Sequence, residues 1–188
     1  MRARRLRWYI FGAHAAASYG RPRMTADVDV TVDPGATSTI ALVEALARAG
    51  FDLRIDLDED FLREARLLPL VHRATAMPVD VVLASTSLHA EFLARRRLVD
   101  VGSVRVPMIS PEDLIVTKIL AGRPKDLDDS RGVLLEQKDL DLDHVRALLG
   151  ELGEAIGEDR LLRRLDRILR SIKPKGAPRR RTAPLTGA

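Results

Sequence analysis

The chain has 188 residues, of which 31 are Lys or Arg and 27 are Asp or Glu, giving a formal net charge of +4. This length predicts one domain, or one domain with a small helical annex, and the lack of Cys excludes disulfide scaffolds, zinc ribbons, iron–sulfur clusters and a Cys nucleophile. No apolar run approaches the roughly 20 residues that span a bilayer, so we expect a cytoplasmic protein without a membrane partner.

The positive charge is concentrated at the two ends of the chain. The first seven residues contain four Arg, and the segment from Lys173 onward contains five basic residues, while neither segment contains an acid. Subtracting these nine from 31 leaves 22 basic residues against 27 acidic ones, so the body of the chain is net acidic. A protein that coats DNA places its Lys and Arg on folded elements, so this distribution disfavours that class.

Hydrophobic periodicity predicts mixed α/β structure in the first half of the chain. Around Val30, Val alternates with Asp and Thr, which is typical of a strand. Met77 and Pro78 predict a turn between two later strands. In chain order the predicted elements are strand 8–11, helix 13–19, strand 28–32, helix 39–49, helix 58–66, strand 68–75 and strand 79–84.

The second half is predicted to be mainly helical. Ser110 is typical of an N-cap and Pro111 of a first helical position, while Gly122 ends the same helix. The basic run 95–97 indicates a solvated helix end. The predicted elements are helix 88–97, a strand or hairpin at 99–107, and helices 110–121, 125–136, 143–152 and 158–172.

We expect three segments along the chain. Residues 1–109 form a core, and residues 110–172 form a C-terminal helical region packed on that core. After Pro174 the composition turns to Pro, Gly and Arg, so residues 173–188 are expected to be a disordered basic tail.

Three acids form the most informative pattern. Asp27 and Asp29 lie two residues apart on a predicted strand, so their side chains share a face and can hold one or two Mg²⁺ ions together. Asp80 lies in an otherwise apolar strand, where an acid is costly unless it is paired, hydrogen-bonded or bound to metal. Alternatively, the pair lies on a solvated strand face and Asp80 is a buried acid paired with Arg23 or Arg73.

A glycine turn precedes these acids. The predicted first strand runs into Gly12 and then into an Ala-rich helix. Such a turn presents backbone N–H groups and a helix N-terminus, both of which favour phosphate.

These residues resemble the nucleotidyltransferases of the DNA polymerase β-like superfamily, in particular the small bacterial AbiEii-like branch found among toxin–antitoxin systems. Members carry a glycine turn before a helix, an Asp-x-Asp pair and a third Asp on a later strand. The string Arg-x-Thr-x-Asp-x-Asp, typical of this branch, is matched here by Arg23, Thr25, Asp27 and Asp29. A second similar block matches at Pro111, Glu112, Asp113, Lys118, Gly122, Arg123, Lys125, Asp126 and Asp129.

The resemblance spans roughly residues 8–135 and implies an α/β (α+β) nucleotidyltransferase fold, with a small mixed sheet flanked by helices and a C-terminal helical region. It implies catalysis by Asp27, Asp29 and Asp80, which would hold two Mg²⁺ ions beside an NTP, with Asp80 also able to act as base. The residues expected to contact the nucleotide are Gly12, Ala13, Arg23, Thr25, Lys118 and Lys125. Arg23, Lys118 and Lys125 are the candidates to neutralise triphosphate charge, and the sequence supports Lys118 best because it lies on the helix after Ser110 among apolar neighbours.

The implied reaction transfers NMP from the NTP to a hydroxyl acceptor and releases pyrophosphate. The toxin–antitoxin likeness favours a tRNA end or a protein side chain as acceptor, with a cognate toxin or antitoxin as a further partner. The basic tail would then recruit RNA through phosphate contacts.

Other interpretations stay open. Ala13 stands where many relatives have Gly or Ser, which favours a non-catalytic nucleotide- or partner-binding module of the same fold. An antibiotic nucleotidyltransferase is another possibility, and a nucleic-acid-binding regulator acting through the basic ends is a third. The group Arg123, Lys125, Asp126 and Asp129 serves either as substrate contacts or as an ion-pair cluster between helices.

Overall fold

The computed structural model describes residues 6–56 and 58–172, in which seven strands form one mixed sheet. The strands are β1 (Arg7–Ile10), β2 (Val28–Asp33), β3 (Phe51–Leu53), β4 (Leu67–His72), β5 (Met77–Leu83), β6 (Arg97–Val101) and β7 (Val104–Met108). Their spatial order is β3-β4-β5-β2-β1-β7-β6. The predicted tail 173–188 lies outside the described residues.

Helices cover both faces of this sheet. They are α1 (Gly12–Tyr19), α2 (Thr39–Arg48), α3 (Glu59–Glu64), α4 (Ser87–Arg95), α5 (Pro111–Ala121), α6 (Pro124–Glu136), α7 (Leu142–Ile156) and α8 (Arg160–Ile172). The predicted class, a mixed sheet flanked by helices with a helical C-terminal part, is confirmed. Over the described residues, no helix combines the length and the apolar character needed to cross a membrane.

Two strand pairs of the sheet are parallel, β2 with β5 and β1 with β7, and the other pairs are antiparallel. In the β2–β5 pair, Asp29 lies directly beside Asp80. This register brings together two acids that are far apart in the sequence.

Alternation along the strands divides the described apolar residues into two cores, one on each face. Val30 and Val32 point to the core under α2, while Tyr9 points to the core formed with α1 and the helices from α4 onward. Thr31 lies on the same face of the sheet as Tyr9, and its side chain forms a hydrogen bond with the Tyr9 hydroxyl. Asp29 adjoins Val30, and Asp80 lies between Val79 and Val81. These three Val residues point to the core under α2, so both acids face the larger helical layer.

Helix α5 has the capping expected from its sequence. Ser110 accepts a hydrogen bond from the Asp113 N–H, and Gly122 ends the helix with a left-handed φ of +65°. The prediction for the basic run 95–97 was wrong in one respect. Arg95 bonds Asp113 at 3.2 Å and Arg97, which begins β6, bonds Glu112 at 3.0 Å, because both buried acids of α5 need a counter-charge.

The predicted turn at Met77 and Pro78 was also wrong. Both residues belong to β5, and the turn lies just before them, where Ala76 has a φ of +54°. Pairing between β5 and β2 begins only at Val79. Pro78 therefore occupies a position with one neighbouring strand, where its missing N–H is tolerated.

Candidate active site

Three carboxylates meet where β2 and β5 run side by side. Asp27 comes just before β2, Asp29 lies in it, and Asp80 lies in β5. One carboxylate oxygen from each lies within 4.8 Å of the other two, and all three residues are half-buried. Oxygen ligands converging in this way match the preference of divalent cations such as Mg²⁺, so the donor set fits such an ion.

The electrostatics of this cluster favour a positive ligand. Burial raises the pKa of Asp29, and the neighbouring Asp27 and Asp80 carboxylates raise it further, while Lys118 acts in the opposite direction. Like charges held close together disfavour full ionisation. A bound cation would relieve this repulsion.

The glycine turn holds Asp29 in place. Gly12 has a φ of +65°, and a Cβ on it would lie 1.8 Å from Asp29 Oδ2. The backbone N–H of Ala13 bonds the same carboxylate. The turn therefore presents an N–H to an acid of the candidate metal site, a role for which the side chain of residue 13 is not needed.

Thr25 orients the first acid of the pair. Its hydroxyl donates a hydrogen bond of 2.8 Å to Asp27 Oδ1. The segment between α1 and β2 thus contributes Thr25 and Asp27 to the same site.

Asp80 has an arginine partner that the sequence interpretation missed. The guanidinium of Arg54 bonds its carboxylate, whereas Arg23 pairs with Asp129 and Arg73 with Asp52. The alternative pairing of Asp80 with Arg23 or Arg73 was therefore wrong. Arg54 follows β3, a strand of three residues that is too short to give a periodic signal.

An ion-pair network lies opposite the acid cluster. Lys118 Nζ bonds Asp126 at 3.0 Å and Asp129 at 2.8 Å. Arg23 bonds both oxygens of Asp129 at 2.8 and 3.0 Å, and Arg123 bonds Asp126 at 2.5 Å. The network joins α5, α6 and the loop before β2, so the interpretation as an ion-pair cluster describes Arg123, Asp126 and Asp129 in this structure.

The pKa values of the two acids in this network shift in the opposite direction to that of Asp29. Burial raises the pKa of Asp126, but the hydrogen bonds from Arg123 and Lys118 lower it by more, so the net pKa falls below its usual value. At Asp129, burial likewise raises the pKa, and the hydrogen bonds from Arg23 and Lys118 lower it by more, so the net pKa is again below its usual value. Both residues are therefore carboxylates near neutral pH.

The cluster and the network form the two walls of one cleft of about 330 Å³. We call the side with Asp27, Asp29, Asp80 and the glycine turn the sheet wall, and the side with Lys118, Arg123, Lys125 and Asp126, backed by Asp129, the helix wall. All nine residues predicted for the site line this cleft: Gly12, Ala13, Arg23, Thr25, Asp27, Asp29, Asp80, Lys118 and Lys125. Lys118 is 7% exposed and bonded to two acids, whereas Lys125 is exposed.

The family model described as "Nucleotidyltransferase of unknown function (DUF6036)" matches residues 2–173. No curated protein matches the chain.

Two solved structures of one protein share the fold. The chain is similar to the solution structure of the antibiotic-resistance factor ANT(2'')-Ia, with 13% identity, a TM-score of 0.56, and coverage of 83% of this chain and 88% of that one. It is also similar to the crystal structure of ANT(2")-Ia in complex with adenylyl-2"-tobramycin, with 17% identity, a TM-score of 0.54, and coverage of 78% and 88%.

Proposed function

This chain belongs to the nucleotidyltransferase family whose model matches residues 2–173, and from that premise we propose that it transfers NMP from an NTP to a hydroxyl acceptor with release of pyrophosphate. Membership confirms the predicted superfamily and its enzyme class. The observation that carries the proposed site is the convergence of Asp27, Asp29 and Asp80 within 4.8 Å, opposite a cationic wall.

The sheet wall is the proposed metal site. Asp27, Asp29 and Asp80 would hold the divalent cations, Mg²⁺ in a two-metal arrangement. When bound there, such ions lower the pKa of an acceptor hydroxyl and neutralise charge on the triphosphate. Thr25 and the Ala13 N–H keep the first two carboxylates oriented for this task.

The helix wall is the proposed triphosphate site. Lys125 is exposed at the cleft and binds phosphate oxygens. Lys118, Arg23 and Arg123 are already bonded to acids of α6, so they add positive potential from fixed positions. These bonds support Lys125 as the direct phosphate ligand, with Lys118 contributing charge to the same wall.

The proposed chemistry is an in-line displacement at the α-phosphorus. The acceptor oxygen forms a bond to that phosphorus, the bond to the bridging oxygen of the β-phosphate breaks, and pyrophosphate leaves. The acceptor proton passes to Asp80. Arg54 is bonded to the Asp80 carboxylate and holds it at the edge of the cleft.

The finer assignment rests on sequence resemblance. The Arg23–Asp29 string and the block from Pro111 to Asp129 support an AbiEii-like enzyme of a bacterial toxin–antitoxin system. Its acceptor would be a tRNA end or a protein side chain in the cytoplasm, and its further partner a cognate toxin or antitoxin. We retain the division into a catalytic core (1–109) and a helical region (110–172) as part of this proposal.

Two alternatives have specific support of different strength. The fold likeness to an antibiotic-resistance factor favours an antibiotic acceptor as the second candidate. A non-catalytic module is less favoured, because the contribution of Ala13 is its backbone N–H, which the substitution leaves in place.

The test is transfer of labelled nucleotide. The protein is incubated with each α-labelled NTP and Mg²⁺ in three reactions, containing total tRNA, cell lysate or tobramycin. We expect transfer that is abolished in an Asp27→Ala, Asp29→Ala double variant. A matched control, Asp60→Ala, Asp100→Ala, removes two exposed acids outside the cleft (side chains 93% and 71% exposed) and should keep full transfer.

The outcomes separate the candidates. Transfer to tRNA or protein supports the principal proposal, and transfer to tobramycin supports the antibiotic candidate. Metal-dependent NTP binding without transfer to any acceptor would leave only the non-catalytic module.

A further inference from the structure

A second cleft adjoins the active site. It encloses about 440 Å³ between the segment that follows α1 and one face of α6. Arg23 lines both clefts, and its partner Asp129 lines the second. The Arg23–Asp129 ion pair is therefore the partition between this cleft and the proposed nucleotide site.

The second cleft has a preformed floor. A Cβ on Gly20 would lie 2.9 Å from backbone atoms of Gly132 and Val133, and a Cβ on Gly132 would lie 3.3 Å from the Arg21 backbone nitrogen. The end of α1 and the middle of α6 thus pack backbone against backbone. The backbone therefore sets the position of the floor of this cleft.

The second cleft has a net positive charge when the ion pair within its lining is discounted. Among the described residues, its lining contains three Arg and two Asp. Arg23 and Asp129 neutralise each other through their two hydrogen bonds. This leaves exposed Arg21 and Arg131 against exposed Asp128. Arg is the residue best suited to bind phosphate, because its planar guanidinium can donate two parallel hydrogen bonds.

An apolar side chain completes the lining. Leu135 lies one turn beyond Arg131 on α6, lines the cleft and is 42% exposed. Two guanidinium groups beside an apolar contact match a nucleotide, which has anionic phosphate and an apolar base face.

We propose that this second cleft is the acceptor subsite and that it takes a phosphate-bearing acceptor, with Arg21 and Arg131 on phosphate and Leu135 against a base. The proposal rests on the nucleotidyl transfer proposed above and narrows its acceptor class. The source of the phosphate is an RNA end or a free nucleotide. A polycationic antibiotic is disfavoured, because Asp129 is already paired and two arginines outnumber Asp128.

The test compares two double variants of the full chain. Arg21→Gln, Arg131→Gln removes the proposed phosphate ligands, while Arg66→Gln, Arg167→Gln removes two exposed arginines that line neither cleft. Binding of fluorescent total tRNA, fluorescent AMP and fluorescent tobramycin is measured by anisotropy over a range of salt concentrations without NTP. The basic tail is present in both variants, so its contribution cancels.

We expect the Arg21/Arg131 variant to bind tRNA about tenfold more weakly at low salt, and the slope of log affinity against log salt to fall by about 1.4, since each single-strand phosphate contact contributes about 0.7. The Arg66/Arg167 variant should stay within about twofold of the wild type. A loss seen with tRNA identifies an RNA end as the source, and a loss seen only with AMP identifies a free nucleotide. Equal affinities of the two variants for both phosphate probes, or a loss confined to tobramycin, would overturn the proposal.

A second measurement separates this proposal from the one it rests on. Metal-dependent NTP binding should be unchanged in the Arg21/Arg131 variant and lost in the Asp27/Asp29 variant. Where transfer occurs, the Arg21/Arg131 variant should raise KM for the acceptor with little change in kcat. Failure of all transfer with the tRNA difference intact counts against the proposed function, whereas normal transfer and an unchanged acceptor KM count against the acceptor subsite.

Discussion

The two walls of the proposed active-site cleft contain aspartates whose pKa values move in opposite directions. On the sheet wall, burial and two neighbouring acids raise the pKa of Asp29. On the helix wall, bonds from Lys118 and from Arg123 or Arg23 outweigh burial and lower the pKa of Asp126 and Asp129. The residue type is the same on both walls, so the difference comes from the neighbours.

This difference indicates a division of labour. Most charges of the helix wall are paired with one another, and these ion pairs join α5, α6 and the loop before β2. The sheet wall gathers three acids with Arg54 as the described counter-charge at Asp80, which fits the proposed metal site. Variants of the helix wall should therefore change stability, and variants of the sheet wall should change ligand binding.

The largest expected effect on stability is at the centre of the helix wall. Lys118→Met leaves Asp126 and Asp129 buried with one arginine each. We expect the free energy of unfolding to fall by about 3 kcal/mol, the lower end of the range for breaking a buried pair, because the arginine bonds persist. The measurement is urea unfolding at pH 7 without divalent metal.

Two control variants test whether this loss of stability is specific to the ion pairs of the helix wall. Lys125→Met removes an exposed cation from the same cleft and should change stability by less than about 0.5 kcal/mol. Asp27→Asn removes a charge from the repulsive sheet wall and should leave metal-free stability unchanged or slightly higher. If Lys118→Met and Lys125→Met unfold at the same urea concentration, the ion pairs of Lys118 do not stabilise the fold.

A smaller effect is expected at the glycine turn of the sheet wall. In Gly12→Ala the new Cβ displaces the Asp29 carboxylate, which lies 1.8 Å from its position. We expect Mn²⁺ affinity, measured by calorimetric titration, to fall by about 10–100-fold, as for other residues that orient a metal ligand.

The matched control for this substitution is Gly35→Ala. Gly35 also has a positive φ, of +55°, but a Cβ there would meet nothing within 4 Å. Both variants bear the cost of a left-handed conformation, about 1 kcal/mol, so only their difference in metal affinity reports the clash. Equal metal affinities would show that the turn does not position Asp29.

The smallest expected effect is a change of stability with pH. It is also the sharpest test of the ion pairs in the helix wall. A carboxylate with a lowered pKa in the folded state contributes stability above its unfolded pKa, and that stability is lost as pH falls through the folded value. The window for Asp126 and Asp129 therefore lies below about pH 4. The difference in unfolding free energy between the wild type and Asp129→Asn should shrink as pH falls from 7 through this window.

Its neighbour provides the comparison. Asp128→Asn changes an exposed acid of the same helix and should change the free energy of unfolding by less than about 0.5 kcal/mol. A difference for Asp129→Asn that stays constant to pH 3 would contradict the lowered pKa.

Local signals predicted much of the fold. The boundaries of α5 follow from Ser110, Pro111 and Gly122, because caps act within one turn. The alternation around Val30 correctly predicted β2. The errors came where a neighbouring strand decided the outcome: Pro78 is accepted in β5 because β2 pairing starts one residue later, and β3 is too short for any periodicity to reveal it.

For the site, the amino-acid sequence alone placed Asp27 and Asp29 two residues apart after a glycine turn and singled out Asp80 in an apolar strand. The resemblance added the roles of these acids and the second block, which contains Lys118. Tertiary structure decided which charges meet. The parallel register sets Asp29 beside Asp80, and Arg23 reaches Asp129 across 106 residues. Periodicity and capping act over a few residues, whereas a long arginine pairs with whichever acid folding brings within its reach, so the partner of each charge could be read only from the folded chain.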